Sequence, residues 1–435
     1  MAYTLLSVAA GLALPRLEHV YFASFTHSVS VGSALAFFSS VSSGMMALTG
    51  IVFAIAFVVV QFSALAYSPR LVVMFANSPT LYHTLGIFFA TFAYSLAALA
   101  WTDRGGSGEV PLFSTMLVNV LLIVSMLAFA RLIRSLNDLQ IQNVLQVIGA
   151  RGRAVIRTMF SHTVDNVSDE PEPPYDLAPV TQTLVYSGEP RVIARFDIDA
   201  LVHLAQSFDA VVAIQCGVGE TLMEDTVVLR VHGAAQRLPE RDLMRAIHLA
   251  TARTFEQDPK YPIRLLVDIA IKALSPAVND PTTAVQALDQ IEDLLRRLGR
   301  RQLGAGQARD ATGALRLTFQ VPTWEDYLAL AFDEIRQFGA TSVQVVRRLR
   351  AALVGLADTV VVEARRDAVR QYLEHLNAGI GRSNFDDQDQ AAARLEDRQG
   401  LGLARRRHES KDLAVRPSNT APSSRTTVGA TAATQ

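Results

Sequence analysis

The side chains that could do chemistry gather in one stretch of the chain, from Arg253 to Thr283. Arg264, Asp268 and Lys272 recur every four residues in RLLVDIAIK, a segment otherwise apolar nearly all round. On a helix that spacing puts all three on one face. A charge on a buried helix is costly unless paired, so the ordinary reading is a structural ion pair. The functional reading is an anion- or ligand-binding pair facing Asn279, Asp280, Thr282 and Thr283. Those four also have an ordinary reading. Asp280 before Pro281 is the pattern of an N-cap followed by the favoured first-turn proline, with Thr282 and Thr283 filling the turn. The alternative is a helix N-terminus whose free N–H groups receive a small anion, although an acidic cap competes with that anion. Arg253, Thr254, Gln257 and Asp258 form a polar cluster just upstream, either solvating a helix end or contributing Arg253 to a ligand site.

Other chemistries find no support. The nine histidines are scattered, without HExxH or paired metal spacing. No GxSxG, Walker, CxxC or dinucleotide fingerprint is present, and no metal or cofactor is expected. GVGE at 217–220 is a turn; no helix opens after it as a phosphate cradle requires. One cysteine, Cys216, excludes an intrachain disulfide framework and a thiolate metal cage. The net charge of -1 is neutral on acidic partners, and no nucleic-acid partner is expected.

Several elements must position these residues. YPIRLLVDIAIKAL reads as a helix ended by Pro276, and PTTAVQALDQIEDLLRRLG as the next. LPERDLMRAIHLATARTF reads as one helix before them. A β-like ALRLTFQVP and three helices follow, at Thr323–Phe338, Thr341–Ala357 and Val360–Asn377. Asp326 and Arg336 are expected as surface pairs. Upstream, TQTLVYS, RVIARFD, AVVAIQCGV and DTVVLRVHG carry β-branched runs bounded by turn residues. DIDALVHLAQSFD between them reads as a short helix capped by Asp197 or Asp199.

The first third of the chain is strongly apolar. About 42 residues, Ser28 to Pro69, carry no charge, whereas a bilayer-spanning helix needs about 20. As one straight helix the run would be about 60 Å long, twice the hydrocarbon core, so part of it must leave the membrane, bend or line a polar cavity. Its first half is rich in small residues. Ser39 and Ser43, and Ser40 and Gly44, lie four apart, the spacing that lets helices approach closely in lipid. Ser39, Ser40, Ser43, Gly44 and Gly50 are therefore expected either to pack helices or to line a permeation path. Further spans are expected at Met1–Leu14, at 81–101 and at 110–133, about four in all. The first is short, and its start is expected to be truncated or misassigned. Apart from Arg131 close to the end of the last, no Asp, Glu, Lys or Arg falls inside these spans, so no proton relay or ion pair is signalled. His83 sits at a span edge. Arg70 and the arginines after the last span (Arg131, Arg134, Arg151, Arg153, Arg157) place both termini in the cytoplasm.

The expected fold is thus an α-helical membrane bundle of about four spans plus a cytoplasmic α+β domain, a small β module followed by helices. The divisions are a transmembrane domain at 1–135, a connector helix and proline-rich linker at 136–178, a β-rich module at 179–235, a helical domain at 236–380 and a disordered tail at 381–435. The amphipathic connector continues the last span and is either interfacial or a coupling helix. The tail's arginines are suited to anionic lipid.

Three blocks are distinctive: RLLVDIAIKALSPAVNDPTTAVQALDQIEDLL, GIVFAIAFVVVQFSALAYSPRLVVMF and LGIFFATFAYSL. In them the chain resembles a bacterial family of predicted membrane proteins, the domain-of-unknown-function family numbered 2254. The resemblance runs from the second span to the last long helix. It implies a multi-span inner-membrane protein with a cytoplasmic domain, and no established activity or substrate. The functional expectation is a channel- or transporter-like conduit controlled by a ligand-sensing domain. The alternatives are a membrane-anchored scaffold and, less favoured, a membrane-anchored enzyme using Asp268 and Asp280. The expected partners are the bilayer, further copies of the chain, and a small ligand or protein.

Overall fold

The computed structural model describes residues 2–21, 30–66, 79–102, 110, 112–137, 141–160, 162–164, 176–304 and 306–401. The linker core, the turn at 103–109 and the tail beyond Leu401 lie outside the described residues. Four helices come first: α1 (Ala2–Tyr21), α2 (Val31–Ala66), α3 (Pro79–Thr102) and α4 (Leu112–Asn137). Three are long and apolar enough to cross a membrane, over Val31–Phe57, Thr80–Thr102 and Leu112–Arg134. The expected first span is not among these three. α1 is a 20-residue helix with Pro15 inside it, and Arg16 and Glu18 near its end interrupt the apolar run that a span requires.

Helix α3 sits at the centre of this bundle, against α1, α2 and α4. α1 runs parallel to it. The Tyr3 hydroxyl meets His83 Nδ1 at 2.9 Å, the Ser7 hydroxyl donates to the Ala90 carbonyl, and the Arg16 guanidinium lies 5.7 Å from the Trp101 ring centroid. Close approach requires glycine at Gly11, where a Cβ would lie 2.7 Å from that of Ala97. The buried Glu18 carboxylate accepts from the backbone N–H groups of Phe113 at 2.7 Å and Ser114 at 3.3 Å. It thereby caps the first turn of α4, whose N–H groups have no partner within the helix. Thr91 and Ser125 hydroxyls join α3 to α4 at 2.9 Å, as expected where lipid offers no alternative partner.

The connector is a separate helix, α5 (Ile141–Met159), and residues 138–140 lie outside the described set. Its apolar face, including Val144, Leu145, Ile148 and Ile156, is buried in the core of the C-terminal part. It is neither free nor turned to lipid.

Beyond residue 176 the chain forms β1 (Val180–Val185), β2 (Arg191–Phe196), α6 (Ile198–Ser207), β3 (Val211–Ile214), β4 (Thr221–Leu222), β5 (Val227–His232), α7 (Glu240–Arg245) and β6 (Ile247–Ala250). Then come α8 (Lys260–Ala273), α9 (Pro281–Leu298), β7 (Gln307–Arg309), β8 (Leu315–Thr318), α10 (Trp324–Phe338), α11 (Val343–Thr359), α12 (Glu363–Gly381) and α13 (Asp387–Ala393). One sheet has the order β1-β5-β3-β8-β7, with β3 and β8 parallel; a second has the order β4-β2-β6. Asp197 caps α6 by accepting from the Ala200 N–H.

The single helix expected over 238–255 is replaced by short α7 and strand β6. β6 pairs antiparallel with β2, Ile193 opposite Leu249 and Phe196 opposite Ile247. That pairing is remote in sequence, and it overrides local helix propensity. β8 forms within the β-like ALRLTFQVP and pairs with β3 and with β7, which carries no such expectation. The tail is ordered as far as Leu401: Ala393 is fully buried in the helical core, and Gln344 donates to the Gly400 carbonyl at 2.7 Å.

Two cores result. One lies against the sheets; the other gathers α5 and α8–α13 around α8. Gly152 on α5 packs directly on this core: a Cβ there would meet Leu294 Cδ2 at 2.8 Å and Pro262 Cβ at 3.1 Å. Gly152→Leu is expected to force α5 off this core at a cost of about 2 kcal/mol, read as a lowered unfolding temperature of the purified protein. An unchanged transition would show that α5 is not docked there.

Candidate functional site

A cavity of about 580 Å³ opens where the two cores meet. Six segments contribute to its wall: the end of α5, the β2–α6 junction, the β3–β4 turn, residues 257–260 ahead of α8, residues 319–322 after β8, and the start of α10. Phe160, Phe196, Phe319 and Val321 supply apolar surface, while Glu220, Asp258, Lys260 and Asp326 supply charge.

Asp258 is the most constrained of these groups. It is 2% exposed. Its Oδ1 accepts from the Lys260 N–H at 3.1 Å and so holds the first turn of α8. Its Oδ2 makes no hydrogen bond, and Arg253 Nε stands 3.6 Å away. Burial pushes this carboxyl up, and the charges of Arg253 and Lys260 offset only part of that. The Tyr327 hydroxyl, on the same wall, is also buried without a hydrogen bond. Burial, and then the charge of Asp258, push its pKa up, so it stays a neutral phenol. Arg253 is anchored by donating from Nε to the Gly219 carbonyl at 3.0 Å. Gly219 has φ +85, and a Cβ there would lie 2.5 Å from Asp258 Oδ2, so only glycine fits. Gln257 is pinned: its amide donates to the Phe196 carbonyl at 3.0 Å and accepts from the Phe196 N–H at 2.9 Å. Asp326 is occupied too, because it completes a capping box with Thr323. It is therefore not the surface ion-pair partner expected for Arg336.

The remaining expected residues sit elsewhere. Arg264 donates to Asp268 Oδ1 from Nε at 2.7 Å and binds both Glu334 carboxylate oxygens at 2.7 Å, tying α8 to α10. Glu334 is held below the usual carboxylate range by Arg264, and the Arg264 guanidinium is raised in turn, chiefly by Glu334. Lys272 is half-buried one turn beyond Asp268. Asn279 takes the left-handed conformation, φ 49, in the α8–α9 turn. Asp280 caps α9, accepting from the Thr283 N–H at 3.1 Å and hydroxyl at 2.5 Å, while Thr282 is exposed. Of the seven residues expected to bind a ligand, only Arg253 adjoins the cavity. Sequence reading missed Tyr327, Lys260 and Glu220. Asp258–Pro259 ahead of an apolar helix is the one local signal; the rest converge from distant segments.

On α2, Ser39, Ser40, Ser43, Gly44 and Gly50 all face away from the other described helices.

Three bilayer-length apolar helices followed by a mixed sheet-and-helix domain define a multi-span membrane protein. The chain belongs to the family described as Predicted membrane protein (DUF2254), whose model matches residues 1–354. It is similar to an uncharacterized protein of Mycobacterium bovis, 28% identical over 394 residues that cover 88% of this chain and 73% of the relative. An uncharacterized protein of Mycobacterium tuberculosis is similar to the same extent, 28% identical over 394 residues. No solved structure matches the chain.

The raised Asp258 carboxyl carries a signed consequence. The folded state keeps this proton to higher pH than the unfolded chain, so stability falls as pH rises from the ordinary carboxylate value through the folded one. Asp258→Asn retains an N-capping oxygen and removes that loss. The variant is expected to gain about 1 kcal/mol over the parent at pH 8 and nothing below the ordinary carboxylate range, as measured by denaturant unfolding. A variant less stable at pH 8 would contradict this reading of the site.

Proposed function

We propose that the protein is an oligomeric conduit in the bacterial inner membrane, controlled by a cytoplasmic ligand-sensing domain. The carrying observation is the outward face of α2. Ser33, Ala36, Ser40, Ser43, Ala47, Gly50 and Ala54 recur at alternating spacings of three and four, and all are exposed. A Cβ at Gly44 or Gly50 would meet nothing within 4 Å. This is the small-residue seam by which helices pack in lipid. On α2 the exposed Met46, Ile51, Phe53 and Phe57 flank this stripe, whereas the outward face of α4 presents Phe113, Met116, Val120, Ile123 and Leu127, as befits a surface turned to acyl chains. Copies joined along α2 would bring its serines to a shared axis.

The topology supports the same reading. α1 lies parallel to α3, from Tyr3 beside His83 to Glu18 at the start of α4. As a fourth span it would begin on the side where Arg70, Arg131 and Arg134 lie, which by the positive-inside rule is the cytoplasm. The α+β domain then follows α4 on that side. Thr158, Met159 and Phe160 at the end of α5 line the cavity, so a ligand there would touch the helix that follows the last span. Asp268 pairs with Arg264 and Asp280 caps α9, and neither lines the cavity at the end of α5, so the conduit reading is preferred to the enzyme reading.

Two assays test the proposal. Ser40→Cys and Ser43→Cys proteins in membranes are expected to form oxidative cross-links between copies, and Met126→Cys on α4 is expected not to. Cys216, the one native cysteine, is buried and gives little background. Purified protein in liposomes is expected to pass potassium, chloride or a small neutral solute, and Ser40→Leu is expected to abolish that flux. Cross-linked oligomers without flux would favour a scaffold that assembles through the same seam.

A further inference from the structure

Two buried polar groups on the wall of the interdomain cavity have no hydrogen-bond partner for the atom in question: Asp258 Oδ2 and the Tyr327 hydroxyl. Both residues are more than nine-tenths buried, Asp258 being 2% exposed and Tyr327 fully enclosed. Buried polar atoms are nearly always satisfied, and leaving one unpaired is costly. Asp258 Oδ2 has the charge of Arg253 3.6 Å away but no hydrogen bond, so a molecule that enters the cavity would bring both atoms the donors they lack.

The chemistry of that molecule follows from the wall. Glu220, Asp258 and Asp326 line the cavity with one ammonium, Lys260, while Arg253 beside it pairs with Asp258 Oδ2 at 3.6 Å. Asp326 is already engaged with the Thr323 N–H at 2.9 Å. Arg253 stands near Asp258 Oδ2, but its Nε is turned to the Gly219 carbonyl. A carboxylate oxygen accepts and cannot donate, so its partner must carry N–H or O–H groups; with carboxylates in excess, a cation meets it best. The Tyr327 hydroxyl can also accept a hydrogen bond. Phe160, Phe196 and Phe319 surround the remaining volume, which favours an apolar or aromatic body. About 580 Å³ lies within the range of small-molecule sites.

We infer that this cavity is a binding site for a small organic cation, an amine with an apolar body whose nitrogen donates to Asp258 Oδ2 and the Tyr327 hydroxyl. The inference rests on the ligand-sensing part of the reading above and names its ligand class. Binding is measured without flux, so its failure and the failure of the conduit reading are separate results.

The test uses the full chain in lipid nanodiscs and isothermal titration with 2-phenylethylamine, alongside two near-isosteres, 2-phenylethanol and 3-phenylpropanoate. The amine is expected to bind, with the alcohol and the carboxylate at least about tenfold weaker. Asp258→Asn is expected to weaken the amine at least about tenfold and Tyr327→Phe several-fold. Asn keeps the cap on α8 and Phe keeps the ring, and an unfolding curve for each variant confirms that it is folded. If Asp258→Asn does not fold, the Tyr327→Phe result decides. Absence of amine binding, equal binding of all three probes, or full affinity in the folded variants would overturn the assignment.

Discussion

Helix α8 is apolar on nearly every side, and the C-terminal part is built to exclude water from all of it. Nine of its 14 residues are buried, so one or two neighbours cannot cover it. At roughly 1.5–3 kcal/mol for each large apolar side chain removed from water, it recruits α5, α9 and α10 together. Among these, α5 is the helix next in the chain after the last apolar one. Burying α8 therefore docks that helix onto the α+β part through side-chain packing. Arg153 on α5 adds an ion pair to Asp293 on α9 at 3.1 Å. Burial pushes that carboxyl up, but Arg297 and Arg153 outweigh it and hold Asp293 below the usual range.

The same helix shapes the cavity. Its N-terminus is held by Asp258, and the preceding Gln257 pairs with the backbone of Phe196 as a neighbouring strand would. The start of α8 is thus fixed to the sheet module while its body is fixed to the helical core. The gap between those two attachments is the cavity, and its wall retains polar atoms that neither core satisfies. In the membrane part Glu18 serves the start of α4 and Thr91 meets Ser125, while the buried Ser95 hydroxyl has no hydrogen bond. The bundle also leaves the small-residue face of α2 uncovered.

Much of this architecture was legible from local pattern. The uncharged run announced α2, and Asp280–Pro281 announced the start of α9. The Arg264–Asp268 spacing announced an ion pair, although Glu334, its other partner, comes from α10 and had no local signal. Strand β6 was misread as helix because IHLA is short and its pairing with β2 is remote. The site was the least legible feature. Asp258 looked like a solvated helix end, and only the approach of the β3–β4 turn and α10 buries it. The stripe of small residues on α2 was legible, but its direction, away from the other described helices, depends on which face α3 covers.

The account turns on that α2 face. If copies meet along it, the serines acquire partners, and a shared axis can form beneath a domain whose connector touches a ligand cavity. The most direct measurement is a count of copies per particle, by native mass spectrometry of the full chain released from lipid nanodiscs. Three or more copies, falling to one in Ser40→Leu, is the result this account predicts. A single copy would contradict the seam, and a stable dimer would contradict the conduit.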